Sequence, residues 1–434
     1  MIARLVSLAG TALIGVIAAL AASAFAQQIP ANPTTLTREG IDRTEAIKIT
    51  DHIYQAIGFG NTFMVTTPEG NVIIDTSSAN IAPLHVKLLK AVSKAPVKYI
   101  VLTHGHGDHV GGVALWKEPG TEIIAQKNQV EFMNYQARLN GFFAIRNAAQ
   151  FAAPARAMPR GTPPPWPGNE GGRVLATKLF GDTMSFALGG VTFQCYATPG
   201  ETPDHLSVWI PEWKVAFIGD NYYESFPNIY TLRGTEPRWA LDYVHSINTV
   251  LSWKPDIVLP SHGRAIQGNA DVTRKLTRYR DAILYVHDAV VKGMNSGQDV
   301  YTLMREIHLP PELEIGESYG KLTWSIRGIY EGYAGWFDLN PAEMYETPAA
   351  GIYSDLVKLA GGPDTVVKLA LLRLSEGKPA EALRLTDAAL AADPANRSAL
   401  EAKLKTLDLL VRECKNSNER GWLDYSIAET KKKM

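Results

Sequence analysis

Thr103-His104-Gly105-His106-Gly107-Asp108-His109-Val110-Gly111-Gly112 is the stretch on which the reading of this chain turns. It follows Val97-Lys98-Tyr99-Ile100-Val101-Leu102, an apolar, β-branched run that reads as a strand. His104 and His106 are two apart, so at a strand end they project the same way and can share one metal ion. Asp108 and His109 lie past a second glycine, where a turn can aim a carboxylate and an imidazole at a second site beside the first. Gly105 and Gly107 allow the backbone to bend there and to approach a metal closely. Imidazole and carboxylate ligands suit zinc best, with manganese or iron as the next choices. A lone histidine is usually a core residue. Three of the ten histidines within six residues, with an aspartate among them, form a metal-binding pattern.

Outward from this string, residues 50 to about 265 alternate short β-rich runs with helical stretches. Val72-Ile73-Ile74 ends in Asp75, Val215-Ala216-Phe217-Ile218 ends in Gly219-Asp220, and Ile257-Val258-Leu259 ends in Pro260-Ser261-His262. With His104, four strands thus deliver Asp or His at their C-terminal ends, where α/β sheets place ligands. Val191-Thr192-Phe193-Gln194-Cys195-Tyr196 alternates, and after Thr198-Pro199-Gly200-Glu201-Thr202-Pro203-Asp204 the residue His205 opens another strand, Leu206 to Ile210. The near-continuous apolar runs predict sheets covered on both faces.

This ordered set resembles the metallo-β-lactamase superfamily, and the resemblance implies an α/β fold, the αββα sandwich of zinc hydrolases. Carried over by position, it implies two zinc ions per chain. His104, His106 and His205 would bind one, Asp108, His109 and His262 the other, and Asp220 would bridge both. It also implies that Asp75 orients the ligand loop. His52, His85, His245, His287 and His308 have no ligand-like neighbours and read as surface or helix-face residues.

A second resemblance narrows the substrate. Asn228-Ile229-Tyr230-Thr231-Leu232-Arg233-Gly234 is similar to the N-x-x-T-L-R-G segment of zinc-dependent alkyl sulfatases. Tyr330-Glu331-Gly332-Tyr333-Ala334-Gly335-Trp336-Phe337-Asp338, followed by Asn340-Pro341, matches that family's Y-x-x-Y-x-G-W-F-D-x-N-P. The resemblance implies that Asn228 and Arg233 hold a sulfate group, a task suited to an amide donor and a guanidinium fork. It implies Asp108 and Asp220 as the carboxylates of the catalytic centre. The family carries Glu where this chain is read to have His205 and Asp220, and His-Asn where it has Trp324-Ser325, which removes a candidate proton donor. Tyr222, Tyr223 and Tyr230 are the remaining candidates.

The whole chain fits this picture. It has 434 residues, 46% hydrophobic and 20% charged, with a formal net charge of −1. That composition excludes a disordered chain, and near-neutrality gives no footprint for nucleic acid or an anionic membrane. Two cysteines exclude a disulfide framework, and Cys195 and Cys414 are expected to stay separate. Residues 1–26, with Arg4, an apolar run and Ala24-Phe25-Ala26, read as a secretory signal peptide, so the mature protein is expected in the periplasm or outside the cell; an N-terminal membrane anchor is the alternative. No later stretch approaches the roughly 18 apolar residues of a membrane span. Residues 45–270 are expected as the catalytic domain, 271–345 as a helical extension packing on it, and 346–434 as a helical dimerisation domain. The Pro/Gly-rich residues 152–172, with Trp166, read as a lid. Val272 to Lys292 predicts one long helix, and residues 365–412 predict helices broken at Gly377-Lys378-Pro379 and Asp393-Pro394. One such hairpin resembles a tetratricopeptide unit. Its apolar stripe, Leu383, Leu385, Ala389 and Leu390, is expected to pair two copies into a homodimer. The expected function is hydrolysis of small sulfate esters, with a lactone, thioester or β-lactam as the alternative substrate.

Overall fold

The computed structural model describes residue 40, residues 42–151 and residues 175–434. The expected signal peptide and lid lie outside the described residues. Among the described residues thirteen short strands form two mixed sheets, packed face to face. The first runs β1 (Ile47–Lys48), β2 (Ile53–Ala56), β3 (Thr62–Thr67), β4 (Gly70–Ile74), β5 (Val97–Val101), β6 (Glu122–Gln126) and β7 (Lys178–Phe180) in spatial order. The second comprises β8 (Thr183–Leu188), β9 (Val191–Ala197), β10 (Leu206–Ile210), β11 (Val215–Gly219), β12 (Ile257–Pro260) and β13 (Ile266–Gln267), again as neighbours in sequence order. β4, β5, β6 and β7 are parallel to one another, as are β11 and β12; the other ladders are antiparallel.

The apolar runs are explained by their two-sided burial. Phe63, Val65, Val72 and Ile74 face Phe193, Val208, Ile210 and Phe217 across the space between the sheets. Their neighbours Met64 and Ile73 face outward onto helices Ala82–Val92 and Val113–Trp116. On the opposite outer face, Trp209, Ala216 and Val258 pack on helices Ala240–Ser252, Asn269–Asn295 and Leu322–Ala334. The result is the αββα layering. Gly189 and Gly190 both have positive φ, as a tight hairpin between β8 and β9 requires.

Beyond the sandwich the chain is helical. Pro363–Ser375, Pro379–Ala392 and Arg397–Glu413 are separated by Gly377, at φ 72°, and by a turn in which Asn396 caps the third helix. The stripe expected to pair two copies is instead largely internal. Ala389 is fully buried, and Leu385 and Leu390 pack beside Val357, Val366, Val367, Ala399 and Ala402 of the same chain. Large apolar side chains are exposed elsewhere in the helical region, among them Trp336, Leu339, Leu359 and Leu372. The last helix, Ser417–Lys431, turns back and packs on helix Asn140–Gln150 of the sandwich. Cys195 and Cys414 are both free. Among the described residues no helix is long and apolar enough to cross a membrane.

Candidate metal centre

The strand ends converge as the topology requires. β4 ends at Asp75, β5 leads into Thr103-His104, β11 ends beside Asp220 and β12 leads into Ser261-His262. Asp75 ties three of these segments together. Its Oδ1 accepts from the Thr103 amide at 2.8 Å, and its Oδ2 accepts from Thr103 Oγ1 at 2.8 Å and Ser261 Oγ at 2.6 Å. The same Oδ2 stands 3.0 Å from His109 Nδ1. Asn61 further fixes the β12 end, donating from Nδ2 to the carbonyls of Pro260 and Gly263.

Two groups of possible metal donors result, His104 with His106 and Asp220, and Asp108 with His109 and His262. His104 Nε2 is 2.9 Å from His106 Nδ1 and 3.7 Å from Asp220 Oδ2. Asp108 Oδ2 is 3.4 Å from His109 Nε2 and 3.5 Å from His262 Nε2. Asp220 Oδ2 lies between the groups, 3.4 Å from His109 Nε2 and 3.0 Å from His262 Nε2. Tetrahedral ligands at zinc distances of about 2.0–2.1 Å stand about 3.3 Å apart, so these spacings fit a metal ion in each group. His109 Nε2 and Asp220 Oδ1 are buried without a hydrogen-bond partner among the described residues, as donor atoms directed at a metal ion would be.

The charges are consistent with that chemistry. Burial pushes His104 and His106 well below the usual histidine range, which leaves neutral imidazoles able to ligate. Burial opposes charge on His109 as well, but Asp220, Asp108 and Asp75 outweigh it and hold the ring well above that range. Asp108 is driven to about 2 despite its burial, because His109 and His262 face it.

His205 is the sequence-expected ligand that the structure does not bring into either group. It is fully buried, its Nε2 accepts from the Asp220 amide at 3.0 Å, and its Nδ1 lies 3.1 Å from Thr198 Oγ1. Burial lowers its pKa to about 4, so it is a neutral acceptor that fixes the Asp220 backbone. A side chain at Gly219 would overlap this ring, hence the glycine before Asp220. Glu201, which the sequence reading passed over, stands at the first group instead, its Oε1 4.0 Å from His106 Nδ1. Arg238 pairs with that oxygen, and Tyr243 donates to Oε2 at 2.7 Å. The available signal was its position directly after Pro199-Gly200, at the tip of the turn leaving β9.

The residues expected to hold the substrate border these donors. Arg233 Nη2 is 3.3 Å from His106 Nε2. Burial and nearby Arg238 press the Arg233 pKa down, a strain that a bound anion would relieve. The Asn228 amide donates to Tyr223 Oη at 2.5 Å, its carbonyl accepts from Arg238 at 2.8 Å, and its Oδ1 is buried and unpartnered. Tyr222 packs tilted against Tyr279 in the core, and Tyr230 packs over Gly328. A tyrosine missed by the sequence reading, Tyr319, packs edge-on against Tyr223 and Phe59 and feels the charges of Asp108, Glu201, Arg233 and Asp220.

Comparison with known proteins agrees with this architecture. The profile of the metallo-beta-lactamase superfamily matches residues 56–262, and that of alkyl sulfatase dimerisation matches residues 300–433. A linear primary-alkylsulfatase of a Pseudomonas species is 29% identical over 86% of this chain and 74% of its own length. An alkyl/aryl-sulfatase of Saccharomyces cerevisiae is 27% identical over 86% of this chain and 62% of its own. The solved structure of a stereoselective inverting sec-alkylsulfatase from Pseudomonas superposes with a TM-score of 0.80 at 22% identity, covering 90% of this chain and 66% of that one. This chain therefore spans between three fifths and three quarters of the length of these relatives. It carries a metallo-beta-lactamase superfamily domain at residues 56–262, joined to an alkyl sulfatase dimerisation domain at residues 300–433.

Proposed function

We propose that this protein is a dinuclear zinc hydrolase that cleaves alkyl sulfate esters to alcohol and sulfate, and that it works in the periplasm or outside the cell. The observation that carries the reading is Arg233 Nη2 at 3.3 Å from His106 Nε2, a fixed cation beside the metal donors. A β-lactam, lactone or thioester has no tetrahedral anion for that guanidinium to hold. The names of the relatives support the same substrate class, and the apolar run in residues 1–26 supports export.

His104, His106 and Glu201 would hold one ion, Asp108, His109 and His262 the other, with Asp220 between them. Two such ions supply a water whose pKa is lowered towards about 7, a nucleophile at neutral pH. Arg233 and Asn228 orient the sulfate and offset its charge. Asp108, ionised at neutral pH, would serve as a carboxylate ligand through Oδ2. Tyr319, at the same charges and not committed to the core as Tyr222 is, would supply its phenolic proton to the alkoxide oxygen released by cleavage of the S–O bond; cleavage of the C–O bond releases sulfate instead and needs no such proton.

Zinc-loaded protein assayed against a series of alkyl sulfates, a lactone, a thioester and a chromogenic β-lactam tests the substrate class, with metal content measured in parallel. Turnover of alkyl sulfates with close to two zinc ions per chain is the expected result. Turnover confined to the lactone, the thioester or the β-lactam would overturn it.

A further inference from the structure

We propose that Gln150 and Trp422 are positioning residues for Arg233, so that the C-terminal helix forms the rear wall of the sulfate site. The inference rests on the role given to Arg233 above.

Phe143, Arg146 and Gln150 recur at helical spacing and present one face of helix Asn140–Gln150 to the segment carrying Arg233. Gln150 Oε1 accepts from the Arg233 amide at 2.8 Å, and its Nε2 donates to Thr231 Oγ1 at 3.1 Å. Arg146 donates from Nε to the Arg233 carbonyl at 2.6 Å and from Nη2 to that of Leu232 at 2.5 Å. Both peptide groups flanking the Arg233 Cα are thus held by one helix. Its guanidinium lies 5.8 Å from the centre of the Phe143 ring. A long, flexible side chain loses least affinity when the backbone that launches it is already fixed.

The last helix completes the clamp. Trp422 Nε1 donates to the same Gln150 Oε1 at 3.3 Å, and its ring carries the Arg146 guanidinium at 5.5 Å. Gly421 seats so closely on the Gln150 carbonyl that any side chain there would overlap it. The cap of this helix also grips the opposite wall. Asn416 Nδ2 donates to the carbonyls of Glu317 and Tyr319 at 2.8 and 2.9 Å, anchoring the turn that presents Tyr319. None of these side chains touches the metal donors. Their effect is to place Arg233, and it should be read in sulfate affinity rather than in metal content.

Gln150→Met, Gln150→Glu and Trp422→Phe in the zinc-loaded full-length protein test this. Losing a buried hydrogen bond to the arm should raise KM for an alkyl sulfate, and the inhibition constant of inorganic sulfate, by about 10-fold in Gln150→Met. Turnover number should move far less, and zinc content should match the wild type. Gln150→Glu keeps the shared acceptor and should recover most of the loss, which a merely structural role would not predict. Unchanged KM and sulfate inhibition in Gln150→Met and Trp422→Phe would overturn the proposal. Should Gln150→Met fail to fold, sulfate titrated into the wild type should shift the indole N–H resonance that is absent from Trp422→Phe. No shift, or no sulfate binding at all, overturns the proposal. Sulfate binding with an indole shift but no sulfate-ester hydrolysis would overturn the functional reading and leave this inference standing.

Discussion

Asp75 Oδ2 and His109 Nδ1 stand 3.0 Å apart, and the same oxygen accepts from Thr103 and Ser261. One fully buried carboxylate thereby sets the orientation of an imidazole and the exits of two strands. Asp75→Asn keeps the volume but turns an acceptor into a donor facing Thr103 or Ser261. It should weaken metal binding roughly 10- to 100-fold, as loss of a partner behind a metal-bound histidine does elsewhere. Competition with a zinc chelator measures this, and wild-type affinity in Asp75→Asn would show that the clustered side chains alone suffice.

Glu201, which the sequence reading passed over, stands beside His106, while His205 accepts from the Asp220 amide and joins neither donor group. Glu201→Gln should cost the protein one zinc per chain, whereas His205→Gln, which preserves an acceptor for the Asp220 amide, should keep both. Elemental analysis of the two variants after dialysis decides between them. Zinc loss in His205→Gln alone would restore His205 as the ligand.

Arg233 carries a fixed charge in a buried setting. Removing a charge-assisted hydrogen bond is worth roughly 1.5–3 kcal/mol, so Arg233→Ala should lower kcat/KM for alkyl sulfates about 10- to 150-fold with unchanged zinc content. Arg233→Lys should recover only part, because an ammonium lacks the bidentate fork. Steady-state kinetics on a charged and a neutral ester separate anion binding from general support of the fold.

His85 lies in the core with Nε2 unpartnered, and burial lowers its pKa from 6.5 to about 4. The unfolded chain therefore binds this proton more readily than the folded one. Stability from this group is full above pH 6.5 and falls as pH drops towards 4, by about 3 kcal/mol over that window. Denaturant unfolding of the wild type and of His85→Gln across pH 7 to 4 should differ in slope by close to one proton.

Trp336, Leu339 and Leu359 are 73%, 84% and 85% exposed, an unusual display for large apolar side chains. They lie in or beside the matched dimerisation segment, residues 300–433. A homodimer is expected in sedimentation, and Leu359→Asp should shift it towards monomer without unfolding. A monomeric wild type at micromolar concentration would refute this.

The sequence alone determined what depends on neighbours along the chain. The uninterrupted apolar run Val72-Ile73-Ile74 states directly that its strand has two buried faces, because the side-chain period of a strand is two. The spacing of His104, His106, Asp108 and His109 likewise put four donors on one short turn. What only the tertiary structure decided is which groups face one another across many residues. In the turn after β9, His205 is the residue that composition singles out, and only the folded chain shows that its ring nitrogen accepts from the Asp220 amide while the Glu201 carboxylate stands beside His106. The stripe through Leu385, Ala389 and Leu390 shows that a face is apolar but not whether its cover comes from the same chain. Gln150 and Trp422 carry no motif at all. Their meaning comes from a hydrogen bond spanning 272 residues, and no local periodicity encodes a contact that exists only once the last helix has folded back onto the sandwich.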